Sequence, residues 1–255
     1  MNLVSKIKKF FVKTKKIDLK TLPSQGIFYE KNFQIRIKMV DKSEIEEYEK
    51  NYVKDNISII LYKIKKVVEA NTILNKGWSF DDIKSIDIIF LFLEIVKFTK
   101  GEPIILKYID KSLKEGEIEF GSKSFNYFKL SPAVNEKWDP KERVFDINGY
   151  KYSLPSIGVE NCITNFLMIK STKPDALKYN DYDYHFTFFL GHKNRLGYDE
   201  IENLLEIFNS DMDVEEKAKV KSVIDLMYPM QIYSLKKDNI VIEMGAKINL
   251  ENIFR

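Results

Sequence analysis

The stretch LPSQGIFYEKNFQIRIKM, residues 22–39, combines a turn signal with a strand signal. Pro23 fixes φ, Ser24 can hydrogen-bond locally, and Gly26 tolerates positive φ, so LPSQG predicts a tight turn. After the turn, polar and apolar residues alternate, and the apolar ones are Phe33, Ile35, Ile37 and Met39. Such an alternation predicts a half-buried strand. We expect the turn to place residues 27–29, IFY, against the helices of the N-terminal half.

Three helices are predicted after this strand. Asp41 or Ser43 can cap the first, because glutamates follow at the spacing of a capping box. Apolar residues recur at helical spacing over residues 57–74, which predicts the second helix. The third is predicted to begin at Ser79 and to end before Gly101, since glycine suits the left-handed conformation that closes many helices.

The second half of the chain carries mixed strand and helix signals. Strands are predicted over residues 103–109 and 123–130. The stretch VFDINGYKYSLP, residues 144–155, predicts a hairpin, because Asn-Gly suits a tight turn between alternating arms. The remaining signals predict helices over 159–171, 198–210 and 213–227, a helix or strand over 182–192, and a strand pair that turns at 238–239.

These patterns predict an α+β fold. It has a helical N-terminal half after a short strand, a central β-hairpin region, and a helical segment that closes on C-terminal strands. The predicted organisation is a basic arm over residues 1–20, a strand plus helical domain over 21–101, and a mixed α+β domain over 102–255.

The basic arm contains many lysines, one acidic residue and a thin apolar stripe. Charge patterning of this kind is typical of a solvated amphipathic helix. The alternative is an arm that docks on a partner protein, and the candidate contact residues are then Lys6, Phe10, Phe11 and Lys13. Membrane or nucleic-acid binding is the weaker interpretation, because the arm lacks aromatic residues interleaved for base stacking.

The composition limits the class of protein. The chain has 255 residues, a net charge of +3 and one cysteine, Cys162. A single cysteine excludes an internal disulfide, and a nearly balanced charge gives no indication of a polyanionic partner. The longest apolar run, residues 86–98, is too short to cross a bilayer and is interrupted by charges. We expect no membrane span and no signal peptide.

No sequence pattern predicts catalysis, a metal ion or a cofactor. A phosphate-binding glycine loop, a dinucleotide fingerprint and a nucleophile elbow are all missing. His185 and His192 are separated by two helical turns, which is too far to share one ion. We therefore expect no catalytic residue, no metal and no cofactor. An enzyme with an unrecognised carboxylate site stays as an alternative, because carboxylates can assemble in space.

The turn and the segments after it resemble a known family. The turn residues that match are Leu22, Pro23, Ser24, Gly26 and Tyr29. Met39 ends the strand, an acidic helix start follows, and Asp87 opens an apolar helix that ends at Gly101. This order is similar to that of the baseplate hub subunit and hub-assembly proteins of T-even-type contractile-tailed bacteriophages. The Cys-x-x-Cys knuckle of many relatives is missing from this chain.

The resemblance implies a structural component of a phage contractile-tail baseplate, in the hub or inner baseplate. It implies protein–protein contacts with other tail and baseplate proteins in a multi-subunit assembly, and no contact with nucleic acid. The expected location is the virion tail, after assembly in the host cytoplasm. The alternative within this interpretation is a baseplate-assembly chaperone that is absent from the mature virion.

Overall fold

The structure is a computed structural model. The residues that it describes are 13–50, 57–109, 115–121, 138–147, 149–172, 185–191, 193, 196–211, 213–215, 218–219, 221–222, 234–237, 240–243, 250 and 253–254.

An antiparallel sheet of three strands lies at the N-terminal end of the fold. Its strands are β1 (Thr14–Lys16), β2 (Ile35–Lys38) and β3 (Thr72–Leu74), in the order β1-β2-β3. Ile35 and Ile37 on β2 are fully buried, which confirms the strand predicted after the turn. Met39 was expected on the same buried face, but it is 42% exposed. The strand ends at Lys38, so the alternation no longer fixes the direction of Met39.

The first residues of this sheet belong to the segment predicted as a helical arm. Ile17 is 3% exposed, and its N–H donates to the Ile35 carbonyl at 2.9 Å. Lys15 on β1 forms an ion pair with Glu94 at 2.6 Å. The helix predicted for the arm is therefore wrong at residues 14–17, because pairing with β2 satisfies their backbone as a strand. A short 3-10 turn, Leu19–Thr21, follows. Lys6, Phe10 and Phe11 lie outside the described residues.

Among the described residues of the N-terminal half, the helices that follow are α1 (Lys42–Glu49), α2 (Ile57–Asn71) and α3 (Ile88–Lys100). Asp41 caps α1, since its carboxylate accepts the Glu44 N–H at 3.0 Å and the Glu44 carboxylate accepts the Asp41 N–H at 3.1 Å. The predicted capping box is confirmed. The helix predicted over 57–74 stops earlier, because residues 72–74 pair with β2 as β3. No helix of the described ranges is both long and apolar enough to cross a membrane.

The cap predicted at Ser79 is confirmed, since the Asp82 carboxylate accepts the Ser79 N–H at 2.7 Å, but the continuous helix predicted from it is wrong. Two short 3-10 turns, Phe80–Asp82 and Ser85–Asp87, precede α3. The backbone between them bonds elsewhere: the Ser85 N–H donates to the Pro155 carbonyl at 3.0 Å, and the Ile83 carbonyl accepts the Ile157 N–H at 2.9 Å. These bonds replace the helical ones. The predicted end is confirmed, since Gly101 has a φ of +72°.

Short antiparallel strands make up the central region. β4 (Ile105–Ile109) pairs with β5 (Glu115–Glu119), and β6 (Trp138–Asp139), β7 (Val144–Ile147) and β8 (Tyr150–Tyr152) form a sheet in that order. The hairpin predicted within 144–155 is confirmed as β7 and β8. The strand predicted over 123–130 lies outside the described residues.

The described residues of the C-terminal region include further helices and a strand pair. Helix α4 (Ile157–Ser171) is confirmed, and the ambiguous stretch 182–192 contains the helix α5 (His185–Leu190). Helix α6 (Tyr198–Glu206) continues into a π-helical turn, Ile207–Asp211. The strands β9 (Ser234–Lys237) and β10 (Ile240–Glu243) pair antiparallel as predicted. Together with the N-terminal elements, they confirm the α+β class.

Among the described residues, the buried apolar side chains form two clusters. The first core contains the N-terminal sheet and helices, and it also includes Ile104, Phe120, Leu250 and Ile253. The second core contains the hairpin, α4, α5 and α6. The boundary predicted between residues 101 and 102 therefore runs through the first core.

The side chains after the LPSQG turn are divided between the two cores. Tyr29 belongs to the first core, Phe28 belongs to the second, and Ile27 packs against the second. The expectation that all three lie against the N-terminal helices is wrong for Ile27 and Phe28. The turn lies between the two cores, so its consecutive side chains reach opposite sides.

Candidate functional site

The turn at residues 22–29 is held by its own backbone. The Gln25 N–H donates to the Leu22 carbonyl at 2.8 Å, and the Tyr29 N–H donates to the Gly26 carbonyl at 3.1 Å. Gly26 has a φ of +71°, and a Cβ added there would lie 2.7 Å from the Cβ of Leu19. Glycine is therefore required for both its backbone conformation and its lack of a side chain.

Asp87 receives three hydrogen bonds from this turn. Its Oδ1 accepts the Ser24 N–H at 2.9 Å, and its Oδ2 accepts the Ser24 hydroxyl and the Tyr29 hydroxyl, each at 2.7 Å. Ser24 and Asp87 have no exposed surface, and Tyr29 is 6% exposed. Since Asp87 stands immediately before α3, these bonds fasten the turn to the start of that helix.

Lys84 completes the cluster. Its N–H donates to the Tyr29 hydroxyl oxygen at 2.9 Å, so that hydroxyl accepts one bond and donates another. Its Nζ donates to the Leu154 carbonyl at 2.9 Å and to the Gly191 carbonyl at 3.4 Å. Leu154 belongs to the second core. We call Ser24, Tyr29, Lys84 and Asp87 the Asp87 cluster, and it joins the turn, the start of α3 and the second core.

Burial sets the electrostatics of the Asp87 cluster. Loss of solvent raises the pKa of Asp87 to about 6, although its hydrogen bonds and the nearby Lys84 favour the charged form. Burial likewise lowers the pKa of Lys84 to about 8, against the attraction of Asp87 and Asp82. The pKa of Tyr29 is raised well above its usual value by burial and by the Asp87 charge. At neutral pH the cluster therefore holds a carboxylate, an ammonium and a neutral phenol.

A small cavity of about 120 Å³ lies beside the Asp87 cluster. Tyr29 and Lys84 contribute to its wall, together with Asp82, Glu142 and Arg143. A lysine with a lowered pKa next to a cavity is a known feature of catalytic sites. Here the Lys84 ammonium donates to two backbone carbonyls. The Lys84 ammonium therefore links separate segments of the chain through hydrogen bonds to their backbone carbonyls.

The motif residues predicted from the sequence divide into two groups. Ser24, Tyr29 and Asp87 meet in the cluster, and Gly26 supports it through an N–H that lies 3.2 Å from the Ser24 hydroxyl oxygen. Leu22 and Pro23 are buried in the same turn.

The other predicted residues do not join the cluster. Met39 is exposed after β2, and Gly101 ends α3. Lys13, a candidate for partner contact, places its Nζ 5.6 Å from the centre of the Phe98 ring.

Lys84 was missed by the sequence reasoning. Its neighbours DDIKSID contain one lysine among three acids, which is typical of a solvated helix start. The missing signal is tertiary, because the carbonyls that bind its ammonium lie 70 and 107 residues further along the chain.

Metal binding was considered for the part of the chain that the structure describes. Within it, no group of three or more His, Cys, Asp or Glu side chains is arranged to hold a metal ion. The carboxylate of Asp87 is surrounded by hydrogen-bond donors and by a lysine, which is the wrong environment for a cation ligand.

The comparisons with known proteins add no relative. The chain matches no protein-family model, no curated protein and no solved structure. The class that the structure defines is therefore an α+β protein with a buried polar cluster between two cores.

Proposed function

We propose that this chain is a structural component of a phage contractile-tail baseplate, at the hub or inner baseplate, which acts through protein–protein contacts. One observation carries the proposal. The resemblance rests on two separate segments, the LPSQG turn and the helix opened by Asp87. Their side chains meet, although Ser24 and Asp87 are 63 positions apart and Tyr29 and Asp87 are 58 apart. A chance resemblance gives no reason for such a meeting.

The chemistry of the Asp87 cluster also supports a structural protein. Every hydrogen bond of Asp87 described above joins one part of the chain to another. A buried network that is fully bonded rigidifies a fold and specifies one arrangement of its segments. A rigid fold suits a subunit that must present the same surfaces in every copy of an assembly.

The test is quantitative mass spectrometry of purified particles of the phage that encodes the chain. We expect the chain at a fixed ratio to the tail sheath protein. A replication enzyme of the same phage serves as the control, because it reports carry-over from the lysate. Depletion of the chain to the level of that enzyme would contradict a place in the virion.

The same experiment separates the chaperone alternative. A chaperone is needed for assembly but is absent from finished particles. Loss of tails after deletion of the gene, with no chain in wild-type particles, would therefore support the chaperone. Normal tails after deletion, with no chain in particles, would reject both functions.

A further inference from the structure

An open groove of about 790 Å³ runs along the LPSQG turn. It is lined by residues 16–20, which begin at the last residue of β1, and by residues of the turn from Gln25 onward. Trp138, Pro140 and Arg143, from β6 and the segment that follows it, complete the lining. A groove of this volume is within the range that proteins use to hold a ligand or a side-chain anchor.

Part of the groove lining is apolar and partly exposed. Leu19, Ile27 and Trp138 are each half-buried, so part of each side chain faces the groove. The Trp138 ring is held by Phe28, with ring centres 5.2 Å apart in an edge-to-face contact. A fixed aromatic surface of this kind suits an apolar anchor from a partner, because little conformational entropy is lost on contact.

The rim of the groove has an excess of positive charge. Its cations are Lys16, Lys20, Lys31 and Arg143, and its carboxylates are Asp18 and Glu30. Among the described residues none of the four cations has an ion-pair partner. Asp18 is engaged within its own turn, because its carboxylate accepts the Lys20 N–H at 3.1 Å. The groove is therefore complementary to a negatively charged partner.

Two residues that line the groove have a strained backbone conformation. Gln25 and Arg143 have φ values of 52° and 57°, and among the described residues they are the non-glycine positions with positive φ. Both residues line the groove. Strain at non-glycine residues tends to gather at functional sites, where the surrounding structure holds it.

We propose that this groove docks an acidic segment of a partner protein. An aromatic or aliphatic side chain of the segment lies against Ile27 and Trp138, and its carboxylates face the rim cations. The proposal rests on the proposed function, since it names the surface and the partner chemistry for the contacts that a baseplate subunit makes. The lysine-rich residues 1–12 of a second copy have the wrong charge. Nucleic acid is disfavoured because the net charge of the whole chain is only +3, which gives little attraction for a polyanion.

The test measures fluorescence anisotropy with the purified full chain. The probes are labelled peptides in which Phe or Leu lies among Asp and Glu, the same peptides with Lys at every acidic position, and a single-stranded oligothymidylate. We expect binding of the acidic peptides only. The double variant Lys20→Glu and Lys31→Glu should weaken that binding by about tenfold or more. The matched control is the double variant Lys42→Glu and Lys66→Glu, which makes the same charge change at exposed lysines on α1 and α2 outside the groove lining and should leave the affinity unchanged.

Four results would overturn the proposal: no binding of any peptide, equal affinity for acidic and basic peptides, tighter binding of the oligothymidylate, or equal losses in the groove and control variants. Melting curves of both variants show whether folding is retained. If the chain binds acidic peptides selectively but is absent from particles, the proposed function is rejected and the docking proposal for the groove stands. If the chain is present in particles but binds no acidic peptide, the docking proposal is rejected and the proposed function stands.

Discussion

A buried carboxylate is costly unless its oxygens are hydrogen-bonded, and Asp87 meets this condition through the LPSQG turn. Its two partners there, Ser24 and Tyr29, are almost fully buried. Loss of either hydroxyl would leave the buried Oδ2 with a single donor and no solvent to replace the other. That loss costs more than the net value of one exposed hydrogen bond. The three bonds therefore depend on one another, and the conformation of the turn is part of the same unit.

Gly26→Ala should destabilise the fold through two separate effects. The left-handed conformation costs an alanine about 1–2 kcal/mol, and the new Cβ would overlap Leu19, which adds about 1–3 kcal/mol. Urea denaturation measures the sum. Gly101→Ala is the matched control, because Gly101 has nearly the same φ, +72°, with no atom within 4 Å of the added Cβ. Equal losses in the two variants would show that the contact with Leu19 is unimportant.

The contribution of Asp87 to stability should fall as pH rises from about 4 to 6.5. Its pKa is about 6 in the folded state and 3.8 in the reference state, so the folded protein binds more protons in this window. Over the window the free energy of unfolding of wild type, relative to Asp87→Asn, should decrease by about 2 kcal/mol. Lys84 stays charged throughout, since its pKa is about 8.

Urea titrations at several pH values give this difference. Asp41→Asn supplies a control of opposite sign. The pKa of Asp41 is lowered by the Glu44 backbone N–H, so its contribution is lost as pH falls. A difference between wild type and Asp87→Asn that rises with pH would contradict the burial effect on Asp87.

At the scale of elements, the strand β1 gives a structural reason for lysines that the sequence pattern had assigned to a solvated arm. Lys15 and Lys16 belong to a strand of the first sheet, and the next residue, Ile17, is a core residue. Lysine on an edge strand also discourages pairing with other chains. The lysines of residues 13–20 are thus explained by an edge strand and by the groove beside it.

Ile17→Ala should lower the free energy of unfolding by about 2–4 kcal/mol, because it removes buried methyl groups and leaves a cavity. Ile73→Ala on β3 is the matched control, since Ile73 is 42% exposed and should cost far less. Thermal or urea denaturation compares the two. A negligible effect of Ile17→Ala would show that Ile17 is not packed in the core, and would support the earlier interpretation of residues 13–20 as a solvated arm.

Elements with local signals could be predicted from the sequence, and those that need a distant partner could not. The Asp41 cap, the Gly101 helix end and the β7–β8 hairpin are set by neighbours within a few positions. Strand β3 has an apolar pattern that also continues a helix, and only pairing with β2 decides between them. For the Asp87 cluster, Ser24 and Asp87 could be singled out, but no local pattern indicates that they touch or that Lys84 joins them.

At the scale of the whole molecule, the Asp87 cluster lies where the two cores meet. Its Ser24 and Tyr29 come from the turn between the cores, and its Lys84 reaches the carbonyls of Leu154 and Gly191. The backbone bonds of residues 83–85 to residues 155–157 lie next to it. We expect the two cores to unfold together for this reason.

Lys84→Met should separate the unfolding of the two cores. The chain has two tryptophans, Trp78 against the first core and Trp138 against the second. Trp78→Phe and Trp138→Phe backgrounds therefore report each core by fluorescence. In wild type the two urea transitions should coincide, and with Lys84→Met the second core should unfold at lower urea.

Lys65→Met is the control for this separation. It removes a half-exposed ion pair between α2 and α4, Lys65 to Glu160 at 2.8 Å, without touching the buried cluster. Both transitions should stay together in that variant, since exposed pairs contribute little. Coincident transitions in Lys84→Met would show that the backbone bonds alone couple the cores.

The first core is closed by residues from the far end of the sequence. Phe254 stacks edge-to-face on Tyr48 and Phe92, with ring centres 5.5 and 5.9 Å away, and Leu250 is 5% exposed in the same core. During translation, the N-terminal sheet and helices leave the ribosome long before these residues are made. That half of the protein must therefore wait with an open apolar surface until residue 254 emerges. An apolar surface that stays open during synthesis exposes the nascent chain to aggregation, against which chaperones protect.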